Sequence, residues 1–127
     1  MSRFEFNFDT DRNIDLARLD DELVKLPSLV FHYGELKAEA DFEYDTLKAK
    51  HEEVRSEEYV KLKSSGEKIT EAHIKALIDV SISVLNIKSK MLDAKRNSDT
   101  LKNYMESLRH KSSMLVQLSA NKRKDLE

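Results

Sequence analysis

Residues 77–115 decide the fold of this chain, and they read LIDVSISVLNIKSKMLDAKRNSDTLKNYMESLRHKSSML. Apolar or small residues recur here at alternating steps of three and four, the heptad spacing of a helix that packs along another helix. These positions are Leu77, Val80, Val84, Ile87, Met91, Ala94, Ser98, Leu101, Met105, Leu108, Ser112 and Leu115. Neither glycine nor proline interrupts the stretch. The spacing predicts one helix over residues 71–120, about 75 Å long at 1.5 Å per residue.

The preceding segment carries a matching pattern. Apolar residues recur every seven positions here, and they predict a second helix over residues 28–63. These residues are Leu26, Tyr33, Ala40, Leu47 and Val54. Ser64, Ser65 and Gly66 end this helix, and Thr70 is placed to cap the next one. A 75 Å helix cannot wrap a globular core. We therefore expect an all-α fold in which the two helices form a long antiparallel, coiled-coil-like hairpin.

The N-terminal part of the chain predicts two further features. Asp15 is placed to cap a short amphipathic helix over residues 15–26, and Pro27 is expected either to break the chain or to lie in the first turn of the next helix. Residues 1–14 are expected to form a tail or a short strand, since Phe4, Phe6 and Phe8 alternate with polar residues. We expect these phenylalanines to dock, on this chain or on a neighbouring subunit. Residues 15–127 then form a single helical domain.

A second apolar row widens the stripe on the last helix. It consists of Ile74, Ile78, Leu85 and Leu92. A stripe this wide is more than one partner helix covers. Either the N-terminal helix or another subunit covers the row, and the shortness of the N-terminal helix favours another subunit. We therefore predict a homo-oligomer that buries this row together with Phe4, Phe6 and Phe8.

Composition limits the class of protein. The chain has 127 residues, of which 36% are charged, with two glycines, one proline and no cysteine. Disulfides and thiolate metal sites are thereby excluded. The first residues do not resemble a secretory leader, and no apolar run reaches the roughly 18 residues of a membrane span. We expect a soluble, cytoplasmic protein with no membrane partner.

The residue patterns of common enzymes are missing. His51 is followed by two glutamates but not by a second histidine four residues on, and the other histidines are scattered. Two isolated glycines cannot form a phosphate-binding loop. Adjacent carboxylates such as Glu52 and Glu53 lie in charged helical stretches, where solvated faces are the rule. We expect no catalysis, no cofactor and no metal.

Charge is unevenly distributed along the chain. Residues 1–85 hold 12 basic and 19 acidic side chains, whereas residues 86–127 hold ten basic and five acidic ones. Such asymmetry can mark a nucleic-acid-binding surface at one end. It can equally reflect electrostatic matching between antiparallel helices or between subunits, and the sequence leaves both explanations open.

Two basic clusters are the candidate nucleic-acid-binding residues. The first surrounds Tyr44 and Tyr59 and comprises Lys48, Lys50, Arg55, Lys61 and Lys63. The second follows Lys95, Arg96 and Lys102 and comprises Arg109, Lys111, Lys122, Arg123 and Lys124. Several cations along one path can bind phosphates, and tyrosines can stack on bases of a single strand. The alternative is a solvated helix face, on which lysines and glutamates alternate for solubility.

The layout resembles the small helical recombination mediator proteins of bacteriophages, the UvsY-like group. That family has a basic motif of the form Leu-Lys-Ala-Arg-Leu, followed by a polar turn, a long helix and a basic C-terminal stretch. Leu47, Lys48, Ala49 and Lys50 match the first four positions, with lysine in place of arginine. His51 departs from the fifth. The resemblance covers residues 28–125.

The resemblance implies a ring-like or otherwise cyclic oligomer that binds single-stranded DNA, with Lys48 and Lys50 on phosphates. It further implies a role in DNA recombination and repair: the loading of a RecA-like recombinase onto strands covered by single-strand-binding protein. A phage-encoded protein of this kind would act in the host cytoplasm. The alternative function is a coiled-coil adaptor or assembly scaffold that binds only protein partners.

Overall fold

The structure, a computed structural model, describes residues 6–66 and 68–126, and every regular element within these ranges is helical. A four-residue helix α1 (Phe8–Asp11) is followed by a single 3-10 turn (Leu16–Arg18). Helix α2 (Leu19–Ser64) and helix α4 (Ile82–Leu126) are 46 and 45 residues long, and the nine-residue helix α3 (Glu71–Asp79) lies between them in the chain. The prediction of an all-α fold is confirmed.

Pro27 neither breaks the chain nor lies in the first turn of a helix, the two positions predicted for it. It lies inside α2, which begins at Leu19 instead of Ser28. Proline has no N–H, so the carbonyl of Leu23 loses its usual helical partner. Leu26 and Leu29, on either side of the proline, are both buried. Their burial holds the helix together across a missing backbone hydrogen bond. Asp15 does act as a cap, but of the 3-10 turn that leads into α2.

The predicted helix over residues 71–120 is divided in two. Helix α3 ends at Asp79, and the backbone of Val80 leaves the helical conformation. The carbonyl of Ser81 then accepts the N–H of Leu85 as α4 begins. The apolar spacing of three and four continues across this break, so periodicity could not reveal it. β-Branched residues and serines, which are weak helix formers, make up the run from Val80 to Val84.

The turn between α2 and α3 is as predicted. Helix α2 ends at Ser64, and Gly66 has a φ of 78°, a left-handed conformation that favours glycine. Thr70 caps α3 by accepting the N–H of His73 at 3.2 Å.

The described residues pack as two compact units. The first unit comprises residues 6–38 and 99–126, and the second comprises residues 39–66 and 68–98. Each unit contains part of α2 and part of α4.

In the first unit, α2 packs against α4 along the predicted seam. Leu19, Leu26 and Leu115 form one buried cluster, and Ile14, Leu23 and Leu118 pack against it. Leu101 and Leu108 of the same seam are buried as well. The heptad spacing therefore identified the packed face of α4 correctly.

The second unit has a small core where α3 meets its neighbours. Ile74, Ile78 and Val84 are buried there, and Val54, Leu62 and Ile69 pack around them. Further along, Ser98 donates a hydrogen bond to the carboxylate of Asp41. Val80, predicted to lie on the seam, is instead exposed because the helix breaks at that residue.

Candidate nucleic-acid interface

The first basic cluster lies in the second unit, and most of its cations are already paired. Lys50 is 3.7 Å from Glu53, and Lys61 is 3.6 Å from Glu58. Arg55 binds Asp79 and Lys63 binds Glu71, each at 2.7 Å. Only Lys48 of this cluster is exposed without an ion pair among the described residues. The cluster is therefore a largely neutralised surface, which fits the solvated-face alternative except at Lys48.

The two tyrosines of this cluster have partners of their own. The ammonium group of Lys95 lies 5.6 Å from the centre of the Tyr44 ring, and Lys63 lies 5.9 Å from that of Tyr59. The hydroxyl of Tyr59 also hydrogen-bonds Glu71 at 3.2 Å. A base that stacked on Tyr44 would have to displace Lys95 or use the opposite face of the ring.

These contacts shift the pKa values of two carboxylates. The hydrogen bond from Lys63 holds the pKa of Glu71 below its ordinary value. The same hydrogen bond raises the pKa of Lys63. The hydrogen bond from Arg55 likewise lowers the pKa of Asp79. Both pairs join α2 to α3, so they fasten the nine-residue helix as well as neutralising cations.

The second basic cluster lies in the first unit, and one of its members is not available to DNA. Lys111 is only 4% exposed. Its ammonium group lies 2.6 Å from Glu22 and donates a hydrogen bond to the backbone carbonyl of Asp11 at 2.5 Å. A phosphate cannot reach it, so the assignment of Lys111 to a nucleic-acid site is wrong. The Glu22 contact is an ion pair without the alignment of a hydrogen bond.

The other members of this cluster are exposed. Arg109, Lys122, Arg123 and Lys124 have no ion pair among the residues that the structure describes. The last three lie in the final turns of α4, where cations also favour the negative end of the helix dipole. These cations are therefore accessible to a phosphate.

Lys111 belongs to a buried polar network that the sequence did not reveal. We use this name for Asp11, Glu22, Lys25, Tyr33 and Lys111. The hydroxyl of Tyr33 donates to Asp11 at 2.8 Å, and Lys25 lies 3.5 Å from the same carboxylate. Burial, and then the hydrogen bond to Asp11, raise the pKa of Tyr33 well above its usual value. The spacing of Lys111 between Leu108 and Leu115 was the available indication that it faces inward.

Two of the three N-terminal phenylalanines dock on their own chain. Phe6 stacks on His32 with ring centres 3.7 Å apart, and Phe8 stacks on Tyr104 at 3.6 Å. Tyr33 meets Phe8 edge-on at 5.5 Å. Phe8 begins α1, so the predicted strand is not formed there, and Phe4 lies outside the described residues.

The predicted oligomerisation row divides into two parts. Ile74 and Ile78 are buried in the core of the second unit, so they are not available to another subunit. Leu85 and Leu92 are 47% and 52% exposed. Seven residues separate them on α4, which places them on one face of the helix. Only this second part remains a candidate contact between subunits.

Each unit carries a surface groove that is large enough to hold part of a ligand. In the first unit a groove of about 490 Å³ lies between the start of α2 and the end of α4. In the second unit a groove of about 540 Å³ lies between α2 and α3, beside Arg55 and Tyr59. Among the described residues, no three His, Asp or Glu side chains come together in a way that could hold a metal ion. No helix within those ranges is long and apolar enough to cross a membrane.

Comparison with known proteins adds no relative: the chain matches no protein-family profile, no curated protein and no solved structure.

Proposed function

We propose that this chain is an oligomeric single-stranded-DNA-binding recombination mediator, which helps to load a RecA-like recombinase onto strands covered by single-strand-binding protein. One observation carries the proposal: Lys48, Arg109 and Lys124 are exposed cations without ion pairs among the described residues. A mediator needs no active site. It needs cations that phosphates can reach, because each phosphate contact releases counterions from the strand.

The contacts around the basic motif on α2 agree with a phosphate-binding role. Lys48 is unpaired, and the pair between Lys50 and Glu53 is solvent-exposed at 3.7 Å. Exposed pairs of this kind contribute roughly 0–1 kcal/mol, so a phosphate can replace Glu53 at little cost. His51, which stands where the resembling family has leucine, buries its Nε2 atom without a hydrogen bond among the described residues. It therefore occupies an inward position, as a leucine would.

A second path for phosphates follows the outer face of α4 in the first unit. Lys102, Arg109 and Lys124 lie within about 60° of one another around the helix axis at 3.6 residues per turn. All three are exposed. Glu106 shares this face and weakens the potential. The path therefore supplies few contacts per chain, and tight binding requires several chains.

Oligomerisation increases the number of phosphate contacts per DNA strand. In the proposed architecture the two long helices form a hairpin, and the exposed leucines Leu85 and Leu92 of α4 contact a second subunit. Weak phosphate contacts on linked subunits act at a high effective concentration. A chain with a net charge of −2 can then bind DNA. Replacing Leu85 and Leu92 by glutamate should reduce the mass measured by light scattering to that of a monomer.

The test compares two double variants with the same change in charge. In fluorescence anisotropy with labelled oligo-dT, Lys48→Gln with Lys50→Gln should weaken binding about tenfold or more. Lys61→Gln with Lys63→Gln removes the same charge from two paired cations, whereas the first variant includes the unpaired Lys48, so the second variant should have a smaller effect. The logarithm of the binding constant should fall with the logarithm of salt concentration by about 0.7 per phosphate neutralised. Equal losses in the two double variants would contradict the assigned site.

A second candidate function is supported by the exposed apolar residues. Leu85 and Leu92 on α4, and Val24 and Phe31 on α2, are available for contacts with other proteins. A coiled-coil adaptor that binds only proteins would use these residues and would not need the exposed cations. It predicts no salt-sensitive binding of oligo-dT at all. Gel filtration with and without labelled oligo-dT separates the two candidates and reports the oligomeric state.

A further inference from the structure

The groove of the first unit combines an apolar floor with a cationic rim. Leu23, Val116 and Leu126 supply the apolar surface, and Lys122 and Arg123 supply the charge. Its volume of about 490 Å³ lies within the roughly 300–1,000 Å³ that is usual for ligand-binding clefts.

The floor is an unused continuation of the α4 seam. Leu115 is completely buried against α2, and Leu118 packs beside it. Leu126 lies eleven residues after Leu115, close to three helical turns, and so points to the same side of α4. It is nevertheless 79% exposed, and Val116 on the groove wall is 60% exposed. The last three turns of α4 thus present an apolar edge that no described residue covers.

The cations at the rim have no ion-pair partners within the described ranges, unlike most cations of the predicted cluster in the second unit. Four cations of the second unit are held in ion pairs, whereas Lys122 and Arg123 have none among the described residues. Ser119 also lines the groove, and its hydroxyl oxygen is buried without a hydrogen-bond partner there. The groove therefore offers two free cations and an unused hydroxyl group beside exposed apolar surface.

From this combination we propose that the groove is a docking site for an acidic amphipathic helix of a partner protein. An apolar side chain of the partner covers Val116 and Leu126, and its carboxylates pair with Lys122 and Arg123. Such helices bind grooves through apolar anchors three or four residues apart. This inference goes beyond the proposed function, because it uses cations other than Lys48, Arg109 and Lys124.

Nucleic acid fits this groove less well. The groove has no aromatic ring among its lining residues on which a base could stack, and the carboxylate of Asp20 stands in its wall. Asp20 repels phosphates, and a nucleic acid has no cation of its own to place opposite this carboxylate. A partner helix that is acidic overall can place one basic residue there.

The experiment uses the full chain and three labelled 16-residue peptides. The first has leucine or phenylalanine at helical spacing, with glutamate and aspartate on the flanks. The second has the same composition in scrambled order, and the third has lysine in place of each acidic residue. Fluorescence anisotropy should show the first peptide binding at least tenfold more tightly than either of the others.

Variants then locate the binding. Lys122→Glu with Arg123→Glu should lower the affinity for the first peptide at least tenfold, and Leu126→Ser should lower it about fivefold. Arg109→Glu with Lys124→Glu is the matched control: it reverses the same number of charges on the same helix and should leave the affinity unchanged. Those two control substitutions should weaken oligo-dT binding instead, so failure of this inference and failure of the proposed function are distinguishable.

Three results would overturn the proposal. They are equal binding of the ordered and scrambled peptides, unchanged affinity after the charge reversal, and loss of oligo-dT affinity in Leu126→Ser. The last would make the groove part of a nucleic-acid site. Circular dichroism of each variant checks that the exposed substitutions leave the helices intact.

Discussion

The two units differ in where their ion-paired side chains lie. In the first unit the charged side chains of Asp11 and Lys111 are buried. Lys111 binds the backbone carbonyl of Asp11 and the carboxylate of Glu22, and Tyr33 binds the carboxylate of Asp11. The second unit keeps its charges outside, where Arg55 and Lys63 bind carboxylates of α3 in contact with solvent. Removal of a buried charge leaves its partner unsatisfied, whereas an exposed partner is solvated by water. We therefore expect substitutions of the buried charged residues in the first unit to destabilise the protein far more than substitutions of the exposed ion pairs in the second unit.

The largest effect is expected at Lys111. Its replacement by methionine leaves Glu22 and the carbonyl of Asp11 without their cation, and should lower the free energy of unfolding by about 3–5 kcal/mol. Urea denaturation followed by circular dichroism measures this. Lys122→Met, an exposed site on the same helix, is the control and should change the value by less than about 0.5 kcal/mol. Adding Glu22→Leu to Lys111→Met should recover much of the loss, and a loss below about 1 kcal/mol in the single variant would refute the role of the network.

A smaller loss is expected in the apolar core of the second unit. Ile74 is 1% exposed, so Ile74→Ala leaves a cavity and should cost about 2–4 kcal/mol. Ile82→Ala changes the same residue type eight positions later, where the side chain is exposed, and should cost less than about 0.5 kcal/mol. Amide hydrogen exchange over residues 71–84 should report the loss locally. Similar losses in both variants would mean that α3 is not held by this core.

Tyr33→Phe tests one hydrogen bond of the buried network. The loss of the bond to Asp11 should cost about 1–2 kcal/mol, since Asp11 keeps the backbone N–H of Asn7 at 3.0 Å. The raised pKa of Tyr33 adds a dependence on pH. Its contribution is complete below the ordinary tyrosine pKa of 10.0 and is lost as pH rises toward the folded-state value. Denaturation at pH 8 and pH 11 should show a steeper alkaline loss in the wild type than in Tyr33→Phe.

The smallest effect is expected from the exposed pairs of the second unit. Because the pKa values of Glu71 and Asp79 are lowered, their contributions are present above the ordinary values of 4.5 and 3.8. They are lost as pH falls through the lowered folded-state values. Glu71→Gln with Asp79→Asn should therefore flatten the stability profile between pH 5 and pH 3. High salt should reduce the same contribution by screening, and a profile unchanged by the substitutions would contradict the assignment.

The apolar packing was predictable from the sequence, because burial follows periodicity. Leu101, Leu108 and Leu115 recur at sevens, and all three are buried. The break at Val80 was not predictable from spacing, since the apolar pattern crosses it without a change of phase. It depends on the weak helix propensity of the residues around Ser81 and on the packing of Ile74 and Ile78.

The candidate site was predictable only in outline. A run of cations such as Lys61 and Lys63 does not show which carboxylates will neutralise it, because Glu71 approaches from another helix. Lys111 was misassigned for a related reason: its partner Asp11 is 100 residues away in the chain. Lys48, by contrast, is exposed and unpaired, as a phosphate contact requires.

The separation of Asp11 from Lys111 in the chain also determines when their contact can form during synthesis. A growing chain makes Lys111 100 residues after Asp11, which takes about 5–20 s at 5–20 residues per second. Throughout that interval the backbone carbonyl of Asp11 lacks the ammonium group of Lys111, and Phe8 has no Tyr104 on which to stack. The segment around Phe8 and Asp11 is therefore synthesised long before these partners and is among the last to reach its folded position. A nascent chain halted before residue 111 should leave Phe8 open to chaperones and proteases.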